Sequence, residues 1–216
     1  MMKIAIFMLF LLYSIHGFAQ TSKAQVPFTF KEFHNLTNFF ETKQDLIDFF
    51  EFEKGQIVAD IGAGNGIYEG AFSLLTDSIT FYSEDIDDKN LTQAKLNKII
   101  KHYGRLKKSA ITNTFHICIG SVKATNLPET TFDKIIIIQA LHEFSFMDEM
   151  IDDISKKLKP DGKLYILDAR CIQKGHVSYN AEEIITRMEK HGFHLKKIDQ
   201  TNRNGSEDLY KAVFSK

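Results

Sequence analysis

Val58-Ala-Asp-Ile-Gly-Ala-Gly-Asn-Gly66 contains three alternating glycines directly after an apolar run. The apolar run Ile57 to Ile61 predicts a short strand, and Ile67 to Leu75 predicts a helix. Three alternating glycines therefore fall in a strand-to-helix turn. Glycine lets a ligand approach the main chain closely, and free N–H groups at a helix start can face an anionic group. The turn indicates a nucleotide-like ligand.

A cluster of acidic residues follows the next predicted strand, Thr80 to Glu84. A carboxylate at this strand end can accept hydrogen bonds from the two ribose hydroxyls of an adenosyl group. Asp85 is the first candidate for that role and Asp87 the second. The alternative is that the cluster only solvates a loop and caps a helix. Its coincidence with the glycine turn favours ligand binding.

Strands and helices alternate after the turn, which is typical of a mostly parallel α/β sheet. Ile135-Ile-Ile-Ile138 has the continuous apolar character of a central strand that is covered on both faces. Asn204-Gly205 is a hairpin signal and predicts an antiparallel pair at the end of the chain. The other predicted elements are strands Thr114 to Ile119, Lys163 to Leu167, His194 to Ile198 and Leu209 to Phe214, helices Lys89 to Tyr103 (capped by Asp88) and Met147 to Leu158, a turn at Pro160-Asp-Gly162, and a helix to His191 opened by a capping box at Asn180-Ala-Glu-Glu183.

Composition limits the classes of partner and of site. The chain has 216 residues with 44% hydrophobic content, which is enough for one domain with a buried core. A formal net charge of -1 disfavours a nucleic-acid partner. Cys118 and Cys171 fall on distant segments, so we expect two free thiols. His191 and His194 straddle Gly192 with no cysteine or carboxylate at ligand spacing, so no metal site is expected.

The N-terminus has the three parts of a secretory signal peptide: charged Met1-Met-Lys3, apolar Ile4 to Tyr13, and small-x-small Gly17-Phe-Ala19. The pattern predicts a signal peptide over 1–19 and export to the periplasm or the exterior. The alternative is an uncleaved membrane anchor, although the run is shorter than the ~20 residues of a spanning helix. Residues 20–27 are interpreted as a linker, and 28–216 as one domain with phenylalanine-rich leading helices, whose rings either pack on the sheet or cover a ligand.

The ordered motifs resemble those of class I S-adenosylmethionine-dependent methyltransferases. The glycine stretch is similar to the first motif of that family, and Tyr82-Ser-Glu-Asp-Ile-Asp87 to the second. The likeness extends from about Thr42 to Phe214 and implies a Rossmann-like three-layer sandwich. Its seven-stranded sheet would be mostly parallel, with the last strand antiparallel and inserted between the fifth and sixth. Later segments in the family's order are Gly120-Ser121, Leu127-Pro128, Phe132-Asp133, Leu141-His-Glu-Phe144 and Leu158-Lys-Pro-Asp-Gly-Lys-Leu164.

The same resemblance implies S-adenosyl-L-methionine as the cofactor. Asp60 and the glycines would hold its methionine end, and Asp85 its ribose. Ser121 stands where many members have an aspartate for the adenine amino group, and Gln139 would lie beneath the sulfonium. The residues expected to bind the cofactor are Asp60, Gly62, Ala63, Gly64, Gly66, Asp85, Ile86, Ser121, Val122 and Gln139.

Methyl transfer requires an acceptor held in line and a base wherever the acceptor is a hydroxyl or an acidic carbon. His142 follows the fourth strand and is the candidate general base; the alternative is a structural histidine bonded to loop backbone. His176 and Tyr179 are further candidates for the acceptor pocket. Gln139-Ala-Leu-His142 replaces the Asn/Asp-Pro-Pro-aromatic segment of members that methylate amide or adenine nitrogens. This difference favours small molecules methylated on oxygen or carbon.

The sequence therefore predicts a methyltransferase that acts on an unidentified small molecule. One alternative is a protein of the same fold that binds an adenosyl ligand without turnover, because the cofactor is made in the cytosol whereas the leader predicts export. The other is an NAD-dependent oxidoreductase. The dinucleotide pattern G-x-G-x-x-G fails here because Ile67 and Glu69 occupy the place of its third glycine.

Overall fold

The computed structural model describes residues 47–169, 179–201 and 209–216. Several features of the sequence lie outside these ranges. They are the leader, the linker, most of the phenylalanine-rich segment, Cys171, His176 and Asn204-Gly205.

A seven-stranded sheet forms the middle layer, in the order β3-β2-β1-β4-β5-β7-β6. Neighbouring strands from β3 to β5 pair in parallel, whereas β7 pairs antiparallel with both β5 and β6. The Rossmann-like architecture is therefore confirmed, including the last strand between the fifth and the sixth. The strands are β1 (Ile57–Ile61), β2 (Thr80–Asp85), β3 (Thr114–Ile119), β4 (Phe132–Ile138), β5 (Leu158–Ala169), β6 (His194–Thr201) and β7 (Leu209–Ser215).

Helices cover both faces of the sheet and create two hydrophobic cores. Side chains of a strand point alternately to its two faces, so Ile135 and Ile137 of β4 enter one core while Ile136 and Ile138 enter the other. All four are at most 3% exposed, which confirms β4 as a strand covered on both sides. The helices are α1 (Ile67–Phe72), α2 (Gln93–Lys107), α3 (Met147–Lys157) and α4 (Ala181–Lys190), with a 3-10 helix at Leu141–Glu143.

Two rings of the phenylalanine-rich segment belong to the core. Phe49 and Phe50 are 4% and 0% exposed, and Phe49 packs edge-on against Tyr165 of β5 with ring centroids 5.6 Å apart. For these two rings, the interpretation as packing against the sheet is confirmed. The described ranges contain no helix that is both long and apolar enough to cross a membrane.

Several boundaries differ from the sequence prediction. The first helix ends at Phe72 rather than Leu75. Helix α2 begins after Thr92 rather than Asp88, because the Asp87 carboxylate accepts the N–H groups of Lys89 and Asn90 and closes a separate turn before the helix. The Asp88 cap was therefore wrong.

The turn predicted at Pro160-Asp-Gly162 lies within β5, so that prediction was also wrong as an element boundary. Phe132 pairs with Leu158 and Lys134 with Lys163, which places the extra residues in an irregularity of the ladder. Gly162 is needed there because a Cβ would lie 2.8 Å from the Phe132 carbonyl oxygen.

The capping box of α4 is confirmed in both directions. The Glu183 N–H donates to Asn180 Oδ1 at 2.9 Å, and the Asn180 N–H donates to Glu183 Oε2 at 2.8 Å. Two helix-end donors are satisfied reciprocally, so the local sequence alone determines this helix start.

Substitution of the true cap of α2 tests this correction. Thr92→Ala removes the acceptor of the Lys95 N–H, so we expect a loss of about 1 kcal/mol in the free energy of unfolding, measured by urea denaturation. Asp88→Ala is the matched control and should change it by less than about 0.5 kcal/mol. A larger loss in Asp88→Ala than in Thr92→Ala would instead identify Asp88 as the cap.

Candidate functional site

The glycine turn packs tightly against two other loops. Gly62, Gly64 and Gly66 have φ of 76°, 62° and 83°, which is backbone that favours glycine. A Cβ on Gly62 would overlap the side chain of Ala140, and one on Gly66 would overlap that of Leu96. At Gly64 a Cβ would meet only the Asn90 amide, at 3.8 Å. The first and third glycines are therefore required by packing, and the space above Gly64 is open.

The main-chain donors of the turn are bound within the protein. The N–H groups of Gly62 and Ala63 both donate to the Glu84 carbonyl at 2.9 Å, and that of Gly66 donates to the Ala63 carbonyl at 3.0 Å. The Gly64 N–H donates to Asp85 Oδ2 at 2.8 Å. The expectation that free amides of this turn face a ligand is wrong for these four residues. They tie the turn to the end of β2 instead.

Asp85 holds one orientation at the end of β2. Its Oδ2 accepts the Gly64 N–H, and its Oδ1 accepts the Asp87 N–H, each at 2.8 Å. A carboxylate oxygen has two acceptor sites, so each oxygen keeps capacity for one further donor. Asp85 is half-buried and lines a cleft at this edge of the sheet. The neighbouring Ile86 is 56% exposed at the mouth of the cleft. This arrangement fits a group that receives two hydroxyls.

A cleft of about 510 Å³ lies at the carboxyl ends of β1, β2 and β4. Six residues predicted from the sequence line it: Gly62, Asp85, Ile86, Ser121, Val122 and Gln139. Asp60, Ala63, Gly64 and Gly66 lie outside its wall. Asp87, the second candidate for the ribose, also lines the cleft. Sequence reasoning did not assign the other lining residues a cofactor role; they are Ile61, Glu84, Asn90, Ala140, Glu143, Phe144, Ser145 and Met150.

The wall of the cleft is rich in acidic side chains. Glu84, Asp85, Asp87 and Glu143 line it, and the described wall contains no lysine or arginine. Carboxylates that line a concave, partly desolvated surface concentrate the potential there. The cleft therefore favours a cationic ligand over an anionic one.

Two further carboxyl groups are buried beneath the turn. Asp60 and Glu69 are 1% and 0% exposed, and none of their side-chain oxygens has a hydrogen-bond partner among the described residues. Burial, and then the charges of Glu69, Glu84 and Asp85, hold the pKa of Asp60 well above its usual range. Burial raises the pKa of Glu69 to about 7. Asp60 thus lies under the turn rather than in the cleft wall.

Glu84 is the buried member of the cleft wall. It is 1% exposed, and burial, followed by the charge of Asp85, raises its pKa to about 8. A Cβ at Gly120 would overlap Glu84 Oε1, so this glycine allows the end of β3 to approach the carboxyl group. Glu84 could have been recognised in the sequence as an acidic residue at the end of a strand. Only Asp85 and Asp87 were predicted from that cluster as ligand-binding residues.

Ser121 and Val122 form the outer lip of the cleft. The Ser121 hydroxyl accepts the Ala124 N–H at 3.2 Å and closes a tight turn, while Val122 remains 47% exposed. Lys123 lies 4.2 Å above the Phe146 ring and links this turn to the start of α3. The hydroxyl is thus used within the turn, and Val122 offers apolar surface to a ligand.

Gln139 redirects the chain at the end of β4. Its φ of 51° is strained for a residue with a side chain, and its N–H donates to the Leu167 carbonyl at 2.7 Å. The bend carries Ala140 against Gly62 and leads into the 3-10 helix that contains His142. The strained backbone of Gln139 therefore sets the direction of the loop that forms the floor of the cleft.

His142 contacts a carboxylate that the sequence reasoning missed. Its Nδ1 lies 2.7 Å from Oδ1 of Asp168, and its backbone N–H donates to Oδ2 at 3.1 Å. Asp168 is 1% exposed near the end of β5. The hydrogen bond to Asp168 raises the pKa of His142 above its usual value. Asp168 directly follows the apolar run of a predicted strand, and this pattern in the sequence could have identified it as a candidate.

Tyr179 lies away from this cleft. It lines a separate cavity beside α4, where the Arg187 guanidinium lies 5.1 Å from its ring centroid. The structure therefore gives Tyr179 a packing role against Arg187 rather than a place in the cleft wall.

Comparison with known sequences gives a family match over most of the chain. Residues 52–213 match the family model described as a methyltransferase domain. The ubiquinone/menaquinone biosynthesis C-methyltransferase UbiE of Blochmanniella floridana is 29% identical over 126 residues, which cover 58% of this chain and 47% of that protein. The chain spans about half the length of the curated relatives it matches.

Solved structures share the fold. A SAM-dependent methyltransferase from Aquifex aeolicus matches with a TM-score of 0.60 at 16% identity, covering 80% of this chain and 89% of that one. Phosphoethanolamine N-methyltransferase 2 from Haemonchus contortus, in complex with S-adenosylhomocysteine, matches with a TM-score of 0.63 at 14% identity, covering 86% and 54%. At these identities the likeness shows the architecture alone.

The contact between the glycine turn and the loop after β4 predicts a ranking of variants. Gly62→Ala adds both an unfavourable φ and an overlap with Ala140, whereas Gly64→Ala adds only the φ, which costs about 1 kcal/mol. Gly62→Ala should therefore reduce the free energy of unfolding more than Gly64→Ala. Adding Ala140→Gly should restore part of the loss. If both variants lost the same free energy of unfolding and Ala140→Gly restored none of it, movement of other residues would relieve the overlap.

The buried carboxyl groups predict that stability falls as the pH rises. Because the folded-state pKa values of Glu84 and Glu69 are raised, the folded state binds more protons than the unfolded state between about pH 4.5 and 8. Each group then lowers the free energy of unfolding by up to about 1.4 kcal/mol per pH unit within that window. Urea unfolding from pH 5 to 8.5 should show this decline, and Glu84→Gln should reduce its slope. An unchanged slope in Glu84→Gln contradicts the assignment.

Proposed function

The chain belongs to the class I S-adenosylmethionine-dependent methyltransferase family, and from this premise we propose that it transfers a methyl group from S-adenosyl-L-methionine to a small molecule. The observation that carries the proposal is the acidic cleft beside the glycine turn. Its wall combines one carboxylate of fixed orientation, Asp85, with exposed apolar side chains at the mouth. Such a combination suits an adenosyl group that carries positive charge.

The residues of the cleft fit this cofactor part by part. Asp85 has acceptor capacity for both ribose hydroxyls. Ile86 and Val122, 56% and 47% exposed, offer apolar surface for a flat adenine ring. The tight turn at Ser121 offers main-chain groups where we expect the adenine edge, while Gly62 and Gln139 lie on the side of β1 and β4 expected to hold the methionine end. When bound, the cofactor supplies an electrophilic methyl group on a sulfonium.

Charge separates this proposal from the dinucleotide alternative. S-adenosyl-L-methionine has a sulfonium and an ammonium group, which the wall carboxylates of Asp85, Asp87 and Glu143 attract. The pyrophosphate of NAD would face the same carboxylates, with no lysine or arginine in the described wall. The N–H groups of Gly62, Ala63 and Gly64, which could face a pyrophosphate at such a turn, donate to Glu84 and Asp85 instead. These features favour the sulfonium cofactor.

For the acceptor, we propose a hydroxylated aromatic ring that is methylated on carbon, with O-methylation as the alternative. The Blochmanniella floridana relative bears the name of a C-methyltransferase of ubiquinone/menaquinone biosynthesis. Phe144 and Met150 give one side of the cleft an apolar surface, next to the Glu143 carboxylate. An apolar wall beside a charged group is suited to a flat ring with ionisable hydroxyls.

Calorimetry on the purified full chain tests the cofactor site. S-adenosylmethionine and S-adenosylhomocysteine should bind, while NAD should give no heat. Asp85→Ala should weaken binding by at least about tenfold, because it removes a charged hydrogen-bond acceptor. Asp88→Ala, an exposed neighbour outside the wall, is the matched control. Tight NAD binding, or an unaffected Asp85→Ala variant, would contradict the site.

Turnover is tested with 1,4-dihydroxynaphthalene kept under reducing conditions, since this hydroquinone offers both hydroxyls and unsubstituted ring carbons. Mass spectrometry and fragmentation of the product distinguish C- from O-methylation. Ring methylation is the expected result. Cofactor binding without methyl transfer to this or related hydroquinones would favour a protein that only binds an adenosyl ligand.

A further inference from the structure

Three ionisable side chains form a row from the sheet to the cleft. Asp168 Oδ1 lies 2.7 Å from Nδ1 of His142, and Nε2 of His142 lies 3.4 Å from Oε1 of Glu143. The exposed fractions of the three side chains are 1%, 20% and 57% in that order. Glu143 lines the cleft. The imidazole therefore connects a buried carboxylate with one that faces the cleft.

Asp168 is held rigidly by the sheet. It pairs in register with Tyr210 of β7, which is 3% exposed, and burial together with the Asp168 charge raises the pKa of that phenol. Both carboxylate oxygens of Asp168 bind His142, one at the ring and one at the backbone N–H. This double contact determines the position of the ring. With Nδ1–H donating to Asp168, neutral His142 is the tautomer that carries its lone pair on Nε2.

The 3-10 helix places the other side of the ring beside Glu143, which is a residue of the cleft wall, whereas His142 itself is not. Leu141 is 1% exposed and anchors the helix in the core, whereas Glu143, two residues later, stands in the cleft wall. His142 lies between them, with Nε2 on the side of Glu143. A proton taken up at Nε2 would lie between two carboxylates. Such surroundings stabilise imidazolium strongly.

We propose that Asp168, His142 and Glu143 form an acid–base relay in which His142 removes the acceptor proton, while Asp168 and Glu143 position it. The inference rests on the proposed function and narrows its substrate class. The acceptor is a molecule that must lose a proton when it is methylated, such as a phenol or an activated ring carbon. An amine with a free lone pair would not need this relay.

The step balances in atoms and charge. The acceptor atom uses its own electron pair to form the new bond to the methyl carbon, and the electron pair of the broken C–S bond stays on sulfur. The proton displaced from the acceptor passes to Nε2 of neutral His142. The resulting imidazolium is paired with Asp168 and Glu143 until it releases the proton to solvent.

A purely structural His142 would only fasten the loop after β4 to β5. The structural role and the relay predict different results when a neutral side chain replaces His142. His142→Gln retains a polar side chain that can still bind Asp168, so a structural role predicts nearly normal turnover. A relay predicts loss of turnover in this variant together with loss of the pH dependence.

An NMR titration of the imidazoles in the full chain tests the relay without any ligand. The pKa of His142 should lie above that of an ordinary histidine and should fall in Asp168→Asn. Where Asp168→Asn fails to fold, Glu143→Gln, whose side chain is over half exposed, should give a smaller decrease. His142→Gln identifies the signal. A pKa that neither variant changes overturns the relay.

The pH–rate profile with 1,4-dihydroxynaphthalene tests the chemical step. The rate should decline at acid pH with an inflection at the His142 pKa, and His142→Gln should lower kcat by at least about 100-fold and abolish this inflection. His194→Gln, at an exposed position on β6, is the matched control. S-adenosylhomocysteine binding should be unchanged in both variants. A His142→Gln enzyme with normal kcat and a normal profile overturns the proposal.

The two proposals fail in distinguishable ways. Absence of S-adenosylhomocysteine binding in the unmodified chain counts against the proposed function. Normal cofactor binding and turnover with an unperturbed His142 counts against the relay alone. Because the imidazole titration requires neither cofactor nor acceptor, it can overturn the relay in either case.

Discussion

The hydrogen bond from the Gly64 N–H to the Asp85 carboxylate is the interaction on which the site depends. It joins the turn after β1 to the end of β2 and orients the acid at the same time. The Glu84 carbonyl adds two more bonds from the same turn, and Ala140 fills the space left by the missing side chain of Gly62. The ends of β1, β2 and β4 are thereby held together around the cleft.

This arrangement concentrates acidic groups where the protein excludes water. Asp60, Glu69 and Glu84 are nearly fully buried, and burial raises the pKa of each. A fold selected for stability alone would not place unpaired carboxyl groups around one turn, because each costs free energy when it ionises. A cationic ligand, such as the sulfonium cofactor that we propose, would stabilise the ionised carboxyl groups and so reduce this free-energy cost.

Much of the fold was predictable because it depends on local patterns. The β-branched run of β4, the capping box of α4 and the glycine turn each correspond to an element found in the structure. The start of α2 was not predictable: Asp87, Asp88 and Thr92 are all good capping residues, and only the turn closed by Asp87 excludes Asp88. The irregular beginning of β5 depends on its pairing with β4, which no local signal encodes.

Residue type and spacing along the chain were sufficient to predict the order of the elements, the position of the glycine turn and Asp85 as a candidate residue. They did not reveal that amides of the turn are already bound, that Glu84 and Glu143 belong to the cleft wall, or that Asp168 contacts His142. These features depend on contacts between residues that are distant along the chain. His142 and Asp168 lie 26 residues apart and come into contact only because β4 and β5 pair side by side.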